Sequence, residues 1–153
     1  AYEARAFCIW DGGFLPSEAE LEYAAAAGSQ QREYPWGSTD PGVSTQYAVY
    51  NCDYGACTDA QNSLAPVGHA TLGAGLWGQL DLAGEVSAWT LDWYYDTYVD
   101  PCVDCAYLLP TANGTLRGGN FYYPKAALLP PNRGYGVPTD RIYGVGLRCA
   151  RSP

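Results

Sequence analysis

A chain of 153 residues is long enough for one domain with its own core, and a hydrophobic share of 48% argues against disorder. A net charge of -8 with only eight Lys and Arg argues against nucleic acid or an anionic membrane as partner, since phosphate binding needs clustered cations. No run of 18 apolar residues is present, so no helical membrane span is expected.

Tyr2 to Trp10 reads as an amphipathic helix that brings Tyr2, Ala6, Ile9 and Trp10 near one face, and Asp11-Gly12-Gly13 ends it. No signal peptide precedes it, so the chain reads as the C-terminal portion of a longer precursor. Ser17 and Glu20 form a capping box for a second helix that runs through Leu21 and Ala24 and stops at Gly28. Tyr34-Pro35-Trp36-Gly37 is a turn expected to pack its Trp inward, and Gln46 to Asn51 a short strand. Ser87 to Tyr94 alternates, with Trp89, Leu91 and Trp93 on one face and Thr90, Asp92 and Tyr94 on the other. Leu116 to Phe121 and Val145 to Ala150 are expected in the same sheet. Between them lies a Tyr-, Pro- and Gly-rich run without helical or strand period, read as a long, ordered surface loop and the place to look for function. The residues alone give one α+β domain with few helices, short strands and long loops.

Six cysteines point to an oxidising compartment. Their spacing favours a nested set, Cys8–Cys149, Cys52–Cys57 and Cys102–Cys105, out of fifteen pairings. Closing the long Cys8–Cys149 loop is worth roughly 4–5 kcal/mol in the chain-entropy model. A redox role for Cys102-Val103-Asp104-Cys105 or a four-Cys zinc site is the alternative; the first lacks a surrounding βαβ unit and the second a matching Cys spacing.

Candidate chemistry is sparse. The one His, His69, follows Pro66-Val67-Gly68 in a loop, which leaves no His-rich metal site and no triad with obvious partners. Asp92, Asp96, Asp100 and Asp104 recur every four residues, but Pro101 and the aromatics forbid a helix there, so they read as an acidic loop rather than a calcium motif. Fourteen Tyr and five Trp supply apolar faces with a polar handle, suited to core and recognition surface alike.

The order of motifs resembles one family. Phe14-Leu15-Pro16-Ser17-Glu18-Ala19-Glu20-Leu21-Glu22-Tyr23-Ala24 is similar to the Arg-Leu-Pro-Thr-Glu-Ala-Glu-Trp-Glu-Tyr-Ala signature of the formylglycine-generating enzyme (sulfatase-modifying factor) family. Tyr34-Pro35-Trp36-Gly37, Ala65-Pro66-Val67-Gly68, Gly75 to Trp89, Arg117-Gly118-Gly119 and Gly146-Leu147-Arg148-Cys149 resemble its later blocks, in order. The resemblance implies a C-type lectin-like fold of that family's type, with short antiparallel strands, two helices and long loops, and again a Cys8–Cys149 bridge. It implies a single domain over residues 1–153 that lacks the N-terminal part of the family domain.

Activity does not follow. The family's oxidases hold copper on a cysteine pair just after the Arg-Gly-Gly block. Here that run is Asn120 to Leu129 and contains no Cys, so no copper is expected, because Cu(I) selects thiolates. For calcium, the family's ligand positions correspond to Asn62 and Glu85, while Ala88 replaces a family Glu. Many bacterial relatives carry Asn-rich runs at Tyr122-Tyr123, Gly134 to Gly136, Asp140 and Ile142 to Gly144. Each replacement here is reachable from Asn codons by changing adenines, as when a diversity-generating retroelement varies the loops of ligand-binding proteins. The expectation is a secreted, periplasmic or cell-surface, non-catalytic binding domain that meets a protein or glycan through Tyr122, Tyr123, Tyr135, Asp140, Ile142 and Tyr143. An oxidase-like enzyme acting on a sulfatase cysteine and a self-assembling structural subunit are the alternatives.

Overall fold

The computed structural model describes residues 1–55, 57–58, 63–98, 100–101, 103 and 105–152. Helix α1 (Tyr2–Trp10) turns Ala4 and Cys8 inward, whereas Tyr2, Ile9 and Trp10 stand exposed. The face marked out by those large residues is therefore the outer face, and the small ones meet the core. Helix α2 (Glu18–Ala25) begins with the expected capping box: Ser17 Oγ accepts from Glu20 N–H at 3.2 Å while Ser17 N–H donates to Glu20 Oε2 at 2.7 Å.

Four strands, β1 (Ser87–Trp93), β2 (Gly114–Arg117), β3 (Arg133–Gly136) and β4 (Val145–Gly146), form one mixed sheet in the order β3-β2-β1-β4. The β1–β2 and β2–β3 pairs are antiparallel, and β4 lies parallel to β1. A register shift between Trp89 and Trp93 breaks the alternation expected of β1, so Thr90 and Asp92 are buried while Leu91 and Trp93 are half-exposed.

Strand β3 corrects the reading of the last third as one loop. Its Gly134 and Gly136 carry no side chain to reveal a period; a Cβ at Gly136 would crowd Trp89 at 3.1 Å, whereas one at Gly134 would make ordinary contact with Leu116 at 3.4 Å. A 3₁₀ turn, Lys125–Leu128, buries Ala127 and Leu128 in the same segment. Gln46 to Asn51 is not a strand; Ala48, Val49 and Tyr50 are buried in irregular backbone. In the Tyr34–Gly37 turn it is Tyr34 that is buried, with Trp36 half-buried and stacked on it at 5.0 Å.

Cys8–Cys149 closes 141 residues and Cys52–Cys57 closes five, as expected from the spacing. Cys105 is also disulfide-bonded, but the Cys102 end of the expected bridge lies outside the described residues.

A buried ionic cluster joins α2 to the sheet. Glu18, 4% exposed, receives Arg117 Nη2 at 2.7 Å and a bidentate Arg133, with Nε at 2.6 Å and Nη2 at 2.9 Å. Arg117 also donates to Glu22 and to the Tyr98 hydroxyl, each at 2.8 Å, and to the carbonyls of Pro130 and Asn132. The Glu18 N–H donates to Asp92 Oδ2 at 2.6 Å. Replacing Glu18 by Ala leaves Arg133 without its carboxylate and Arg117 with Glu22 alone. Chemical denaturation should show a loss of about 3–5 kcal/mol, the range for breaking a buried pair from one side; a loss below about 1 kcal/mol would mean the cluster is dispensable.

Candidate functional site

The six residues expected to bind ligand are all on the surface, and the structure sorts them into three places. Asp140, Ile142 and Tyr143 precede β4 and line an open cavity of about 1020 Å³ against α1. Tyr122 and Tyr123 pack ring to ring at 5.3 Å. Tyr135 projects from β3 against Tyr94 at 4.7 Å and is 60% exposed. Asn120, which is buried, connects the first two places. Its side-chain oxygen accepts from Tyr122 N–H at 3.3 Å, and a Cβ on Gly144 would meet its amide at 2.6 Å. The residue following Tyr143 must therefore be small. Tyr135 belongs to the opposite edge of the sheet from β4.

Beside the Asn120 side chain, backbone hydrogen bonds hold the aromatic segment. Phe121 N–H donates to Glu85 O at 2.9 Å, Cys52 N–H to Phe121 O at 2.8 Å, and Asn51 N–H to Tyr123 O at 2.9 Å. On the other side of the Glu85–Ser87 segment, Ser87 N–H donates to Gly144 O at 2.8 Å. Phe121 is the buried anchor, so the two tyrosines after it point outward at 55% and 45% exposure.

Glu85 ends a tight loop opened by Asp81, and both residues have left-handed backbone, with φ of 61° and 57°. Non-glycine residues held there mark strained, often functional, positions. Asp81 Oδ2 accepts Gly68 N–H at 2.7 Å. One Glu85 carboxylate oxygen is buried without a hydrogen-bond partner, and burial pushes its acid up to about 7, against a donated Ala65 N–H. A bound cation would satisfy that orphaned oxygen, so Glu85 fits a calcium ligand. The expected second ligand, Asn62, lies outside the described residues. Among the described residues no three His, Cys, Asp or Glu side chains converge on one point. Among the described residues Cys8, Cys52, Cys57 and Cys149 are bridged, and Asn120 to Leu129 offers no thiol.

Sequence reasoning did not find the Glu18–Arg117–Arg133 cluster or the second carboxylate of its surroundings, Asp92. Asp92 is 7% exposed and accepts backbone N–H groups from Glu18 and Tyr107, which removes it from the acidic loop to which the four-residue recurrence assigned it. The signal was a polar residue on the inward side of a strand. His69 sits half-buried, its Nε2 3.0 Å from Thr45 Oγ1.

Two helices against a small curled mixed sheet, with long irregular connections and a bridge joining the ends, define a C-type lectin-like fold. The chain belongs to the family of the sulfatase-modifying factor enzyme 1-like domain, which matches residues 1–153. It is 33% identical over 168 residues to the formylglycine-generating enzyme of Streptomyces coelicolor, covering 97% of this chain and 49% of that protein. The chain thus spans about half the length of this curated relative. Among solved structures it is similar to PvdO from Pseudomonas aeruginosa, with a TM-score of 0.77, 28% identity, 98% of this chain and 59% of that one. It is also similar to Treponema denticola variable protein 1, with a TM-score of 0.69, 25% identity, and coverage of 91% and 47%.

Glu85 makes the fold sensitive to pH. Its folded-state acid titrates near 7, above the usual 4.5, so the folded state binds the proton more tightly than the unfolded chain between those values. Its stabilising contribution is complete below about 4.5 and is lost as pH rises through about 7. Buried Asp92, also raised by desolvation, adds the same sign. In chelator, thermal melting from pH 4.5 to 7.5 should show Tm falling, with a shallower fall in Glu85→Gln; equal slopes would remove Glu85 from the account.

Proposed function

We propose that this domain is a non-catalytic ligand-binding member of its family, acting outside the cytoplasm. The observation that carries the reading is the separation of roles in the last third. Its backbone is fixed by hydrogen bonds and by Cys8–Cys149, while Tyr122, Tyr123, Tyr135, Ile142 and Tyr143 stand 45–64% exposed. Tyr offers large contact area at low entropy cost, which suits such a rigid display surface. The two disulfides support an oxidising compartment, and no helix among the described residues is long and apolar enough to cross a membrane. The similarity to a variable protein supports the idea that these positions are diversified, as a retroelement would do. Calcium at Glu85 is part of the proposal, as a brace for the loop beneath Phe121 rather than as a reactant.

The identity to a formylglycine-generating enzyme favours a second reading, oxidation of a substrate cysteine. It lacks the thiols that would hold copper, as described above. Incubation with a Cys-containing sulfatase peptide, copper and oxygen should leave the peptide mass unchanged; aldehyde formation would restore the enzyme reading.

Replacing Tyr122, Tyr123, Tyr135 and Tyr143 together by Ala should abolish capture of ligand from the native setting while shifting Tm by only a few degrees, since exposed side chains contribute little to stability. A collapse of Tm instead would show that these rings are structural.

A further inference from the structure

We infer that the Cys52–Cys57 bridge is a reducible clamp on the segment that carries Tyr122 and Tyr123. The clamp is a property of the fold; its effect on recognition rests on the binding reading above.

The Cys8–Cys149 and Cys52–Cys57 bridges differ in what governs exchange with an external thiol. Cys8 is fully buried and Cys149 packs on the core around Trp89, so the bridge that closes 141 residues is shielded. Cys52 and Cys57 are half-buried, beside exposed Asn51, Gly55 and Thr58, and close only five residues. Access decides which disulfide a thiolate attacks, and accessible bridges under strain are the labile ones. The strain here lies in the backbone: Asn51, Cys52 and Cys57 are all left-handed, at φ of 49°, 63° and 50°. Asn tolerates that region, whereas Cys stays in it only when its surroundings hold it there. A short bridge restrains the unfolded chain far less than a long one, so opening it leaves the fold standing.

What the bridge holds is the tyrosine segment. Asn51 N–H donates to Tyr123 O and Cys52 N–H to Phe121 O, so the left-handed residues take the carbonyls on either side of Tyr122. Asp53, the next residue, keeps one carboxylate oxygen buried without a hydrogen-bond partner, a cost that hydration relieves once the loop is free. When the bridge opens, Cys52 relaxes to a right-handed or extended backbone, and its N–H and that of Asn51 turn away from the two carbonyls. Buried Phe121, whose own N–H donates to Glu85 O, stays in place. The segment is then held from the Glu85 side only. The reaction takes two electrons and two protons from a dithiol. One thiolate of the dithiol forms a mixed disulfide with one Cys and releases the other; its second thiolate then displaces the first Cys. The dithiol leaves as a cyclic disulfide, and Cys52 and Cys57 become thiols.

The test titrates dithiothreitol into the whole chain at about pH 8, where thiolate is present. Free thiols are trapped by alkylation and mapped by mass, and amide exchange is followed by NMR. Cys52 and Cys57 should be trapped at about ten-fold less reductant than Cys8 and Cys149. In that window the Asn51 and Cys52 amides should exchange about ten-fold or more faster, with the amides of β2 unchanged and Tm lowered by only a few degrees. Cys52→Ser with Cys57→Ser should show the same exchange without reductant. Opening of both bridges together, or Asn51 and Cys52 amides as protected after reduction as before, overturns the inference. These readouts need no ligand, so the clamp and the binding reading fail separately: capture that survives the four-tyrosine replacement removes only the second.

Discussion

One carboxylate, Glu18, joins the N-terminal half of this domain to the C-terminal half. It sits in the first turn of α2, where the helix dipole favours negative charge, and takes a guanidinium from β2 and another from β3. Its own N–H reaches Asp92 on β1. Three strands and a helix are thereby fixed in register by groups that would be costly to bury singly. The cluster does work that a larger apolar core would do elsewhere. The two core groups, around Trp89 and around Tyr50, are small, and much of the backbone between them is irregular. Tyr94 and Tyr98 extend the arrangement by covering Arg133 at 4.9 and 4.4 Å, so desolvation strengthens the charges already paired.

What was legible in the sequence was what depends on neighbours in the chain. The capping box, the Cys52–Cys57 loop and the membership of β1, β2 and β4 in one sheet all followed from local pattern, whereas α2 ends at Ala25 and the expected stop, Gly28, opens a 3₁₀ turn instead. What was not legible depends on contacts between distant residues. β3 escaped because glycine has no hydropathy to alternate. The outer face of α1 was marked by Tyr2, Ile9 and Trp10 because size suggests burial, whereas the structure needs small residues, Ala4 and Cys8, at the closest approach. Asp92 was placed on the strand face opposite Trp89 and in an acidic recurrence, and its burial was missed because no local rule announces a bulge. Of the candidate site, the identity and exposure of the aromatics were readable; their division among three places was not.

The same distinction bears on chemistry. The family's fold and its closing arginine block are present, and those are the parts that make the scaffold. The run Asn120 to Leu129 is partly structural: Phe121, Ala127 and Leu128 are buried and fill space. The ionic cluster and the bridge set the scaffold, on which the last third displays its aromatic side chains.

That display has an evolutionary consequence. The segment carrying Tyr122 and Tyr123 is held through main-chain atoms, which every amino acid other than proline provides alike. Substitutions at those positions can then accumulate without approaching the threshold at which the domain would unfold. The surface chemistry of this segment is free to change at little risk to the domain's integrity. Asn120 and Gly144, which meet at 2.6 Å if a Cβ is added, are the fixed points of this segment.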